Sequence, residues 1–119
     1  EYRKKRAEKP SEIILSEVEY EILPPHDING VGLLYFAAYP IIFDLCIDRI
    51  EESGFLRNFS TVSKDIMYFS NSEPNDTLIF RLHARERIGS DHIRHFCSLS
   101  RKSDGVRMAE MTGVKRRVI

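Results

Sequence analysis

Apolar and polar residues alternate in several stretches of this chain, as they do in β-strands. In residues 11–23, SEIILSEVEYEIL, the residues Ile14, Val18, Tyr20 and Ile22 fall at even spacing, with glutamates between the last three. A period of two, carried by β-branched and aromatic residues, predicts a strand with one buried face. The two prolines that follow end this strand, because proline cannot donate a hydrogen bond to a sheet.

One later segment has a helical period. Ile42, Phe43, Cys46, Ile47 and Ile50 recur at intervals of three to four residues and predict a helix with one apolar face. The opposite face is acidic, with Asp44, Asp48, Glu51 and Glu52. A first-turn proline and a terminal glycine mark the two ends of the helix, Pro40 and Gly54. Because the residues at its start are apolar on all sides, we expect protein to surround this helix.

The rest of the chain predicts about four more strands. They fall in residues 60–70, 77–88, 91–102 and 106–118, separated by turn-forming clusters such as SEPND and SDG. One face of the third segment is predicted to carry Ile93, His95, Cys97 and Leu99, and one face of the fourth Val106, Met108, Glu110, Thr112 and Val114. The order of elements predicts an α+β domain in which a curved antiparallel sheet wraps around one long central helix. Such a sheet has a free edge, so we expect pairing with a second copy.

The loop before the helix carries the most specific motif. The segment DINGVGLLYFAAY, residues 27–39, resembles the loop–helix signature of 4-hydroxybenzoyl-CoA-type thioesterases. The residues in the matching positions are Asp27, Gly32, Tyr35, Phe36 and Tyr39. The segment NDTLIF at residues 75–80 resembles a strand opening of the same family. The resemblance covers about residues 12–117. It implies the hotdog fold for residues 11–119 as a single domain. Residues 1–10, EYRKKRAEKP, are predicted to be a basic linker, because they carry five lysines or arginines and little apolar content.

One position departs from that signature. The family's second acid performs the catalysis, and this chain has Asn29 there. An amide cannot act as a carboxylate nucleophile or base, although it can donate a hydrogen bond to a thioester carbonyl or orient a water molecule. A motif with asparagine at this position resembles that of the thioesterases of enediyne polyketide pathways. The longer string HDINGVGLLYFAAYP resembles most closely the double-hotdog proteins related to the leinamycin acyltransferase/decarboxylase, which implies one half of a tandem that processes methylmalonyl thioesters and loads an acyl carrier protein.

The resemblance implies an active site at the start of the helix. Unpaired backbone N–H groups there polarise a thioester carbonyl. We expect these N–H groups near Tyr35 and Phe36, with Asn29 as a side-chain donor, and Gly30 and Gly32 allowing close approach of the backbone. Alternatively, the two glycines only turn the chain.

Four side chains are further candidates in this region. Tyr39 and Tyr35 offer phenols that act as acid, as hydrogen-bond donor or as acyl acceptor, or they are core residues. His26 lies beside Asp27 and is a candidate base oriented by a carboxylate, while Asp27 itself more simply accepts backbone hydrogen bonds within the loop.

Three functions remain open from the sequence. The preferred one is an acyltransferase, with decarboxylation as an optional step, acting on acyl-CoA or acyl carrier protein thioesters in a polyketide-type pathway. The second is a thioesterase in which Asn29 and Tyr39 position water. The third is a non-catalytic hotdog half that dimerises or docks a carrier protein.

Net charge and the positions of cysteine, histidine and basic residues limit the ligands and partners that we expect. Eighteen basic and eighteen acidic residues cancel, which argues against nucleic acid and membrane surfaces as partners. Cys46 and Cys97 lie in apolar segments and are predicted to be buried free thiols of a reducing, cytoplasmic compartment. The strand histidines His83, His92 and His95 do not have the spacing of metal ligands, so we expect no metal site. We expect no cofactor either, apart from coenzyme A or phosphopantetheine as part of the substrate. Basic residues of the later strands are candidates for contacts with its phosphates: Arg81, Arg85, Arg87, Arg94, Lys115, Arg116 and Arg117.

Overall fold

The computed structural model describes residues 12–22, 38–51, 54–71 and 76–118. Within them the elements follow in the order β1 (Ser16–Glu21), α1 (Ala38–Ile50), α2 (Phe55–Asn58), β2 (Phe59–Tyr68), β3 (Thr77–Ile88), β4 (His92–Arg101) and β5 (Arg107–Arg117). The proposed boundary between linker and domain at residues 10 and 11 lies outside the described residues.

The five strands form one antiparallel sheet in the order β1-β3-β4-β5-β2. The hairpins β3–β4 and β4–β5 form its centre, and β1 and β2 are its edges. Each of the pairs β2–β5, β3–β4 and β4–β5 contains a register shift, and such bulges bend and twist a sheet. The helix α1 packs on one face, which is called the inner face below. This confirms the α+β class and the sheet-and-helix architecture predicted from the sequence.

The apolar side of α1 makes the core. Ile42, Phe43, Cys46 and Ile47 are fully buried, as predicted, and the rings of Phe43 and Phe80 meet edge to face at 6.1 Å. Burial of so many large side chains on one short helix supplies much of the hydrophobic free energy of folding.

Three details of the helix differ from the prediction. The helix ends at Ile50, and Gly54, with φ 85°, begins the short helix α2 instead of stopping α1. Two apolar side chains of α1 point away from the sheet, so protein does not surround this helix on every side among the described residues: Ile41 is 57% and Leu45 is 40% exposed.

The strand predictions hold with two corrections. Ile14 lies before β1 and is 48% exposed, because hydrogen bonding to β3 begins only at Leu15. The predicted face of β5 is wrong beyond Met108, which is buried. Cross-strand partners share a face, and Ala109 and Met111 pair with the core residues Leu99 and Cys97. Glu110, Thr112 and Val114 therefore lie on the outer face, because the register shift in β4–β5 brings the other set of residues inward.

The outer face carries a buried polar network. The Arg107 guanidinium donates to Glu12 and, at 2.8 Å, to Glu110. His83 contacts the Ile13 carbonyl through Nδ1 and Ser98 Oγ through Nε2, both at 2.8 Å. These contacts hold residues 12–15 across the outer face of the sheet and satisfy polar groups that burial would otherwise destabilise.

Candidate active site

Tyr39, in the first turn of the described helix, is the predicted site residue that the structure places. Its side chain is fully buried. Its hydroxyl donates toward Asn71 Oδ1 at 3.1 Å and the Ser70 carbonyl at 3.3 Å, and its ring meets that of Tyr68 edge to face at 5.1 Å. The end of β2 and the start of α1 are thereby joined through one phenol.

Arg101 of β4 also binds residues 70 and 71. Its Nη1 donates to Ser70 Oγ at 3.0 Å and also to the Asn71 carbonyl, while Nε and Nη2 make a forked pair with Asp104 at 3.1 and 3.0 Å. Ser70, Asn71 and Arg101 were not predicted as site residues. The available signal was the SDG turn at residues 103–105, which brings Arg101 beside Asp104.

The environment of Tyr39 limits its chemistry. Burial and the neighbouring Tyr68 raise the pKa of the phenol well above its ordinary value of 10, and the Arg101 guanidinium lowers it only in part. The hydroxyl therefore stays protonated at physiological pH. Of the three roles predicted for Tyr39, this favours hydrogen-bond donor over acyl acceptor, because the phenolate is the nucleophilic form.

The other predicted site residues lie outside the described residues: His26, Asp27, Asn29, Gly30, Gly32, Tyr35 and Phe36. Their roles remain predictions.

A second polar cluster lies halfway along α1. Asp44 accepts hydrogen bonds from Lys64 at 2.8 Å and from Lys115 at 2.9 Å, and Lys115 also donates to Thr61. Asp44 was predicted on the helix face opposite the apolar one, and it nevertheless contacts β2 and β5, because the inner face of the sheet there carries lysines. Lys115, a candidate for phosphate binding, is buried in this ion pair.

A third cluster lies at the end of α1. Glu51 accepts from His95 Nε2 at 2.7 Å and makes a forked pair with Arg85 at 2.8 and 3.0 Å. Burial opposes the charge on Glu51, but the hydrogen bonds from His95 and Arg85 outweigh it and lower its pKa to about 2. His95 Nδ1 is buried and has no hydrogen-bond partner among the described residues. Glu51 was predicted on the acidic face of the helix, opposite its apolar face; it lies directly after the helix end, and its side chain is 8% exposed.

The predicted phosphate-binding residues divide between the two faces of the sheet. Arg81 and Arg94 lie on the outer face and pair with Glu17 and Glu86. Arg116 shares that face, whereas Arg85, Arg87 and Arg117 lie on the inner face. The structure therefore does not assemble them into one surface.

The cysteines are buried free thiols, as predicted, and burial raises the pKa of Cys46 to about 12. Among the described residues, histidine, cysteine and acidic side chains form no group of three that could hold a metal ion. No helix in the described part of the chain is long and apolar enough to cross a membrane.

Comparison with solved structures identifies the fold. A thioesterase from Thermus thermophilus complexed with coenzyme A and Zn superposes with a TM-score of 0.73 at 14% identity, over 89% of this chain and 86% of that one. A 1,4-dihydroxy-2-naphthoyl-CoA thioesterase from Synechocystis gives 0.69 at 14% identity, over 87% and 82%. An Asp-to-Asn variant of 4-hydroxybenzoyl CoA thioesterase, complexed with 4-hydroxybenzoyl CoA, gives 0.70 at 13% identity, over 86% and 82%.

This chain has the hotdog fold. The expectation drawn from residues 27–39 is thus confirmed at the level of the fold, although no family model and no curated protein matches the sequence. The finer resemblance to the leinamycin-type double-hotdog proteins stays a prediction. In this hotdog domain the cluster of Tyr39, Asn71 and Arg101 marks the helix start, and the cluster of Glu51, His95 and Arg85 marks the helix end.

Proposed function

We propose that this hotdog protein is a thioesterase that hydrolyses acyl-CoA or acyl carrier protein thioesters at the start of α1. The observation that carries the proposal is the likeness, over more than four-fifths of the chain, to hotdog thioesterases of which one holds coenzyme A and another a CoA thioester. This likeness favours hydrolysis over the acyl transfer that the sequence motif suggested.

In the proposed reaction, the start of the helix binds and polarises the thioester carbonyl group. Water oxygen attacks the thioester carbonyl carbon, the developing oxyanion is held by backbone N–H groups near Tyr35 and Phe36, and the C–S bond then breaks. The leaving thiolate takes up one of the two protons of the attacking water, the other passes to solvent, and the acid leaves as a carboxylate. Asn29 orients the water in this scheme.

Tyr39 has a supporting part in the proposal. Its buried hydroxyl and the Arg101 guanidinium both bind residues 70 and 71, so the segment that follows β2 is held beside the start of the described helix by hydrogen bonds from α1 and β4. A site held in this way keeps its donors in position without reorganisation during the reaction. Tyr39 is therefore proposed as a positioning residue that acts through Asn71.

Acyl transfer remains a second candidate because of one observation. The position of the family's catalytic acid carries Asn29, which leaves no carboxylate there to activate water. A transferase would instead show a covalent acyl adduct or acyl delivery to a second thiol, with methylmalonyl thioesters and their decarboxylation as the predicted case.

The test is a thiol-release assay with acetyl-, benzoyl-, methylmalonyl- and decanoyl-CoA, followed by intact-mass spectrometry of the protein. We expect free CoA and free acid in equal amounts, no acyl adduct, and at least a hundredfold loss of kcat in Asn29→Ala. Tyr39→Phe should lower kcat about fivefold with little change in KM, since a lost hydrogen bond of about 1 kcal/mol holds residues 70 and 71 less firmly. Tyr20→Phe, a buried tyrosine of β1, is the matched control.

Two results would contradict the proposal. An adduct or acylated acceptor without free acid would establish the transferase. Absence of thiol release from every thioester, in protein shown to be folded by circular dichroism, would favour a non-catalytic hotdog half.

A further inference from the structure

The lysine cluster between α1 and the sheet, formed by Asp44, Lys64 and Lys115, joins two ammonium groups to one carboxylate. Lys64 Nζ of β2 lies 2.8 Å from Asp44 Oδ2, and Lys115 Nζ of β5 lies 2.9 Å from Asp44 Oδ1. The side chains of Lys64 and Lys115 are only 18% and 5% exposed, and that of Asp44 is 24% exposed. All three charges are therefore largely withdrawn from water.

The charges of the lysine cluster do not balance. Within the described part of the chain, Asp44 is the single acid that forms an ion pair with either lysine. Two ammonium groups and one carboxylate leave an excess of one positive charge. Because a charge that is largely buried is unfavourable unless an opposite charge and hydrogen bonds compensate it, the cluster favours binding of one further anion.

The two ammonium groups also keep hydrogen-bond donors that the described residues do not use. Each ammonium has three donors. Lys115 directs one to Asp44 and one, at 2.9 Å, to Thr61 Oγ1. Lys64 directs one to Asp44, and its contact with the Pro40 carbonyl, at 3.5 Å, is longer than an ordinary hydrogen bond. At least one donor on each ammonium therefore has no acceptor among the described residues.

The lysine cluster lies beside the start of α1. Lys64 contacts the carbonyl of Pro40, which directly follows Tyr39. Asp44 comes five residues after Tyr39 in the same helix, roughly 8 Å along its axis. A thioester whose carbonyl is bound at the helix start can therefore reach the two lysines with the far end of its acyl chain.

We propose that Lys64 and Lys115 bind the free carboxylate of a dicarboxylic acyl group. The proposal rests on the proposed thioester hydrolysis and names its substrate class. A single carboxylate cancels the single excess charge, and its two oxygens accept from the remaining ammonium donors. After a hydrogen bond of about 3 Å, roughly 5 Å remain for the chain, which is the span of a glutaryl group. The phosphates of coenzyme A carry more charge than the cluster neutralises, and they lie at the opposite end of the thioester from the acyl chain.

The test compares glutaryl-CoA with 5-methylhexanoyl-CoA, its uncharged isostere, in the thiol-release assay. We expect kcat/KM to be roughly tenfold or more higher for glutaryl-CoA, because charge-assisted hydrogen bonds form only with the carboxylate. Lys64→Met keeps the alkyl chain and leaves Asp44 and Lys115 as a balanced pair. It should abolish the preference while changing turnover of 5-methylhexanoyl-CoA less than about twofold. Lys102→Met, at an exposed lysine after β4, is the matched control and should keep the preference.

Binding of thioethers that cannot be hydrolysed separates this proposal from the proposed function. Isothermal titration calorimetry compares S-(4-carboxybutyl)-CoA with S-(5-methylhexyl)-CoA. We expect the Kd of the carboxylate to be roughly tenfold lower, and Lys64→Met to remove the difference. This result without thiol release from any thioester would refute hydrolysis and retain the lysine cluster as a carboxylate site.

The opposite results would overturn the proposal. They are equal kcat/KM values for the two thioesters, or a preference for glutaryl-CoA that persists in Lys64→Met. If no thioester is hydrolysed, equal Kd values of the two thioethers, or binding of neither, would overturn it as well. Lys64→Gln provides a second variant without the charge if circular dichroism shows that Lys64→Met does not fold.

Discussion

At the residue scale, three polar or charged side chains are held by distant parts of the chain, two of them in α1 and one directly after it. Tyr39 binds the segment that follows β2, Asp44 binds two lysines of the sheet, and Glu51 binds His95 and Arg85. Each buried group is satisfied by partners from distant parts of the chain, as burial of polar groups requires. These contacts fix the orientation of α1 on the sheet more specifically than apolar packing alone.

The first prediction concerns pH and Glu51. Its folded pKa of about 2 lies below the ordinary 4.5, so its stabilisation is complete above about pH 5 and is lost as pH falls through 4.5 toward 2. Glu51→Gln should therefore lower the free energy of unfolding by roughly 2 to 3 kcal/mol at pH 7, and the difference should vanish near pH 2.

Urea unfolding at several pH values measures this effect. Glu21→Gln, at an exposed position of β1, is the control and should change the free energy of unfolding little at any pH. A Glu51→Gln deficit that stays constant from pH 7 to pH 2 would show that packing, and not charge, accounts for the loss.

At the element scale, the burial predicted from the apolar–polar pattern and the burial observed in the fold differ at the start of β1. Ile14 and Phe43 are both predicted core residues, yet Ile14 is half exposed and Phe43 is fully buried against Phe80. The alternation that begins at Ile14 precedes the first paired residue of β1, so nothing covers that side chain fully.

The contrast gives a prediction on stability. Phe43→Ala should lower the free energy of unfolding by about 3 to 5 kcal/mol, because it leaves a cavity between helix and sheet. Ile14→Ala should change it by less than about 0.5 kcal/mol, the usual range for surface substitutions. Guanidinium unfolding followed by circular dichroism checks both. Equal losses would mean that residues 12–15 are as well packed as the helix.

At the scale of the whole molecule, apolar surface remains uncovered on one side of the chain. Ile41 and Leu45 project from α1 away from the sheet, and no strand among the described residues pairs with the side of β2 that faces away from β5. Lys64 of β2 contacts the Pro40 carbonyl and Asp44, so this helix surface and this edge are neighbours. Contiguous exposed apolar groups beside a free sheet edge favour association with a second hotdog domain.

We expect the protein to be a dimer that uses this surface. Leu45→Glu should shift the mass measured by light scattering from dimer to monomer, because pairing would bury the introduced charge. Ile88→Glu, at an exposed apolar residue at the end of β3, should leave the dimer intact. If the unmodified protein has the mass of a monomer both at high concentration and after 100-fold dilution, homodimerisation is contradicted. Pairing with a different hotdog domain would then be favoured.

The candidate site was predictable only in part. Tyr39 follows from the motif at residues 27–39. Ser70 and Asn71 carry no local signal, and the SDG turn indicates only that Arg101 lies beside Asp104, because these residues come close to Tyr39 only after β2 and β4 have paired with β5. The same holds for Glu51 and His95, which are 44 residues apart in the chain and 2.7 Å apart in the fold.

Periodicity in the amino-acid sequence was enough to predict the five strands, the helix α1 and the class of fold, because periods of two and of three to four residues are local properties that burial on one face imposes. The inward face was settled by strand pairing wherever a strand carries a bulge. The bulge in β5 reversed the predicted face and brought Ala109 and Met111 inward, and the bulge in β3 placed Arg85 and Arg87 inward. One extra residue in a strand exchanges its two faces, and whether a strand carries one depends on its pairing partner, which local periodicity does not contain.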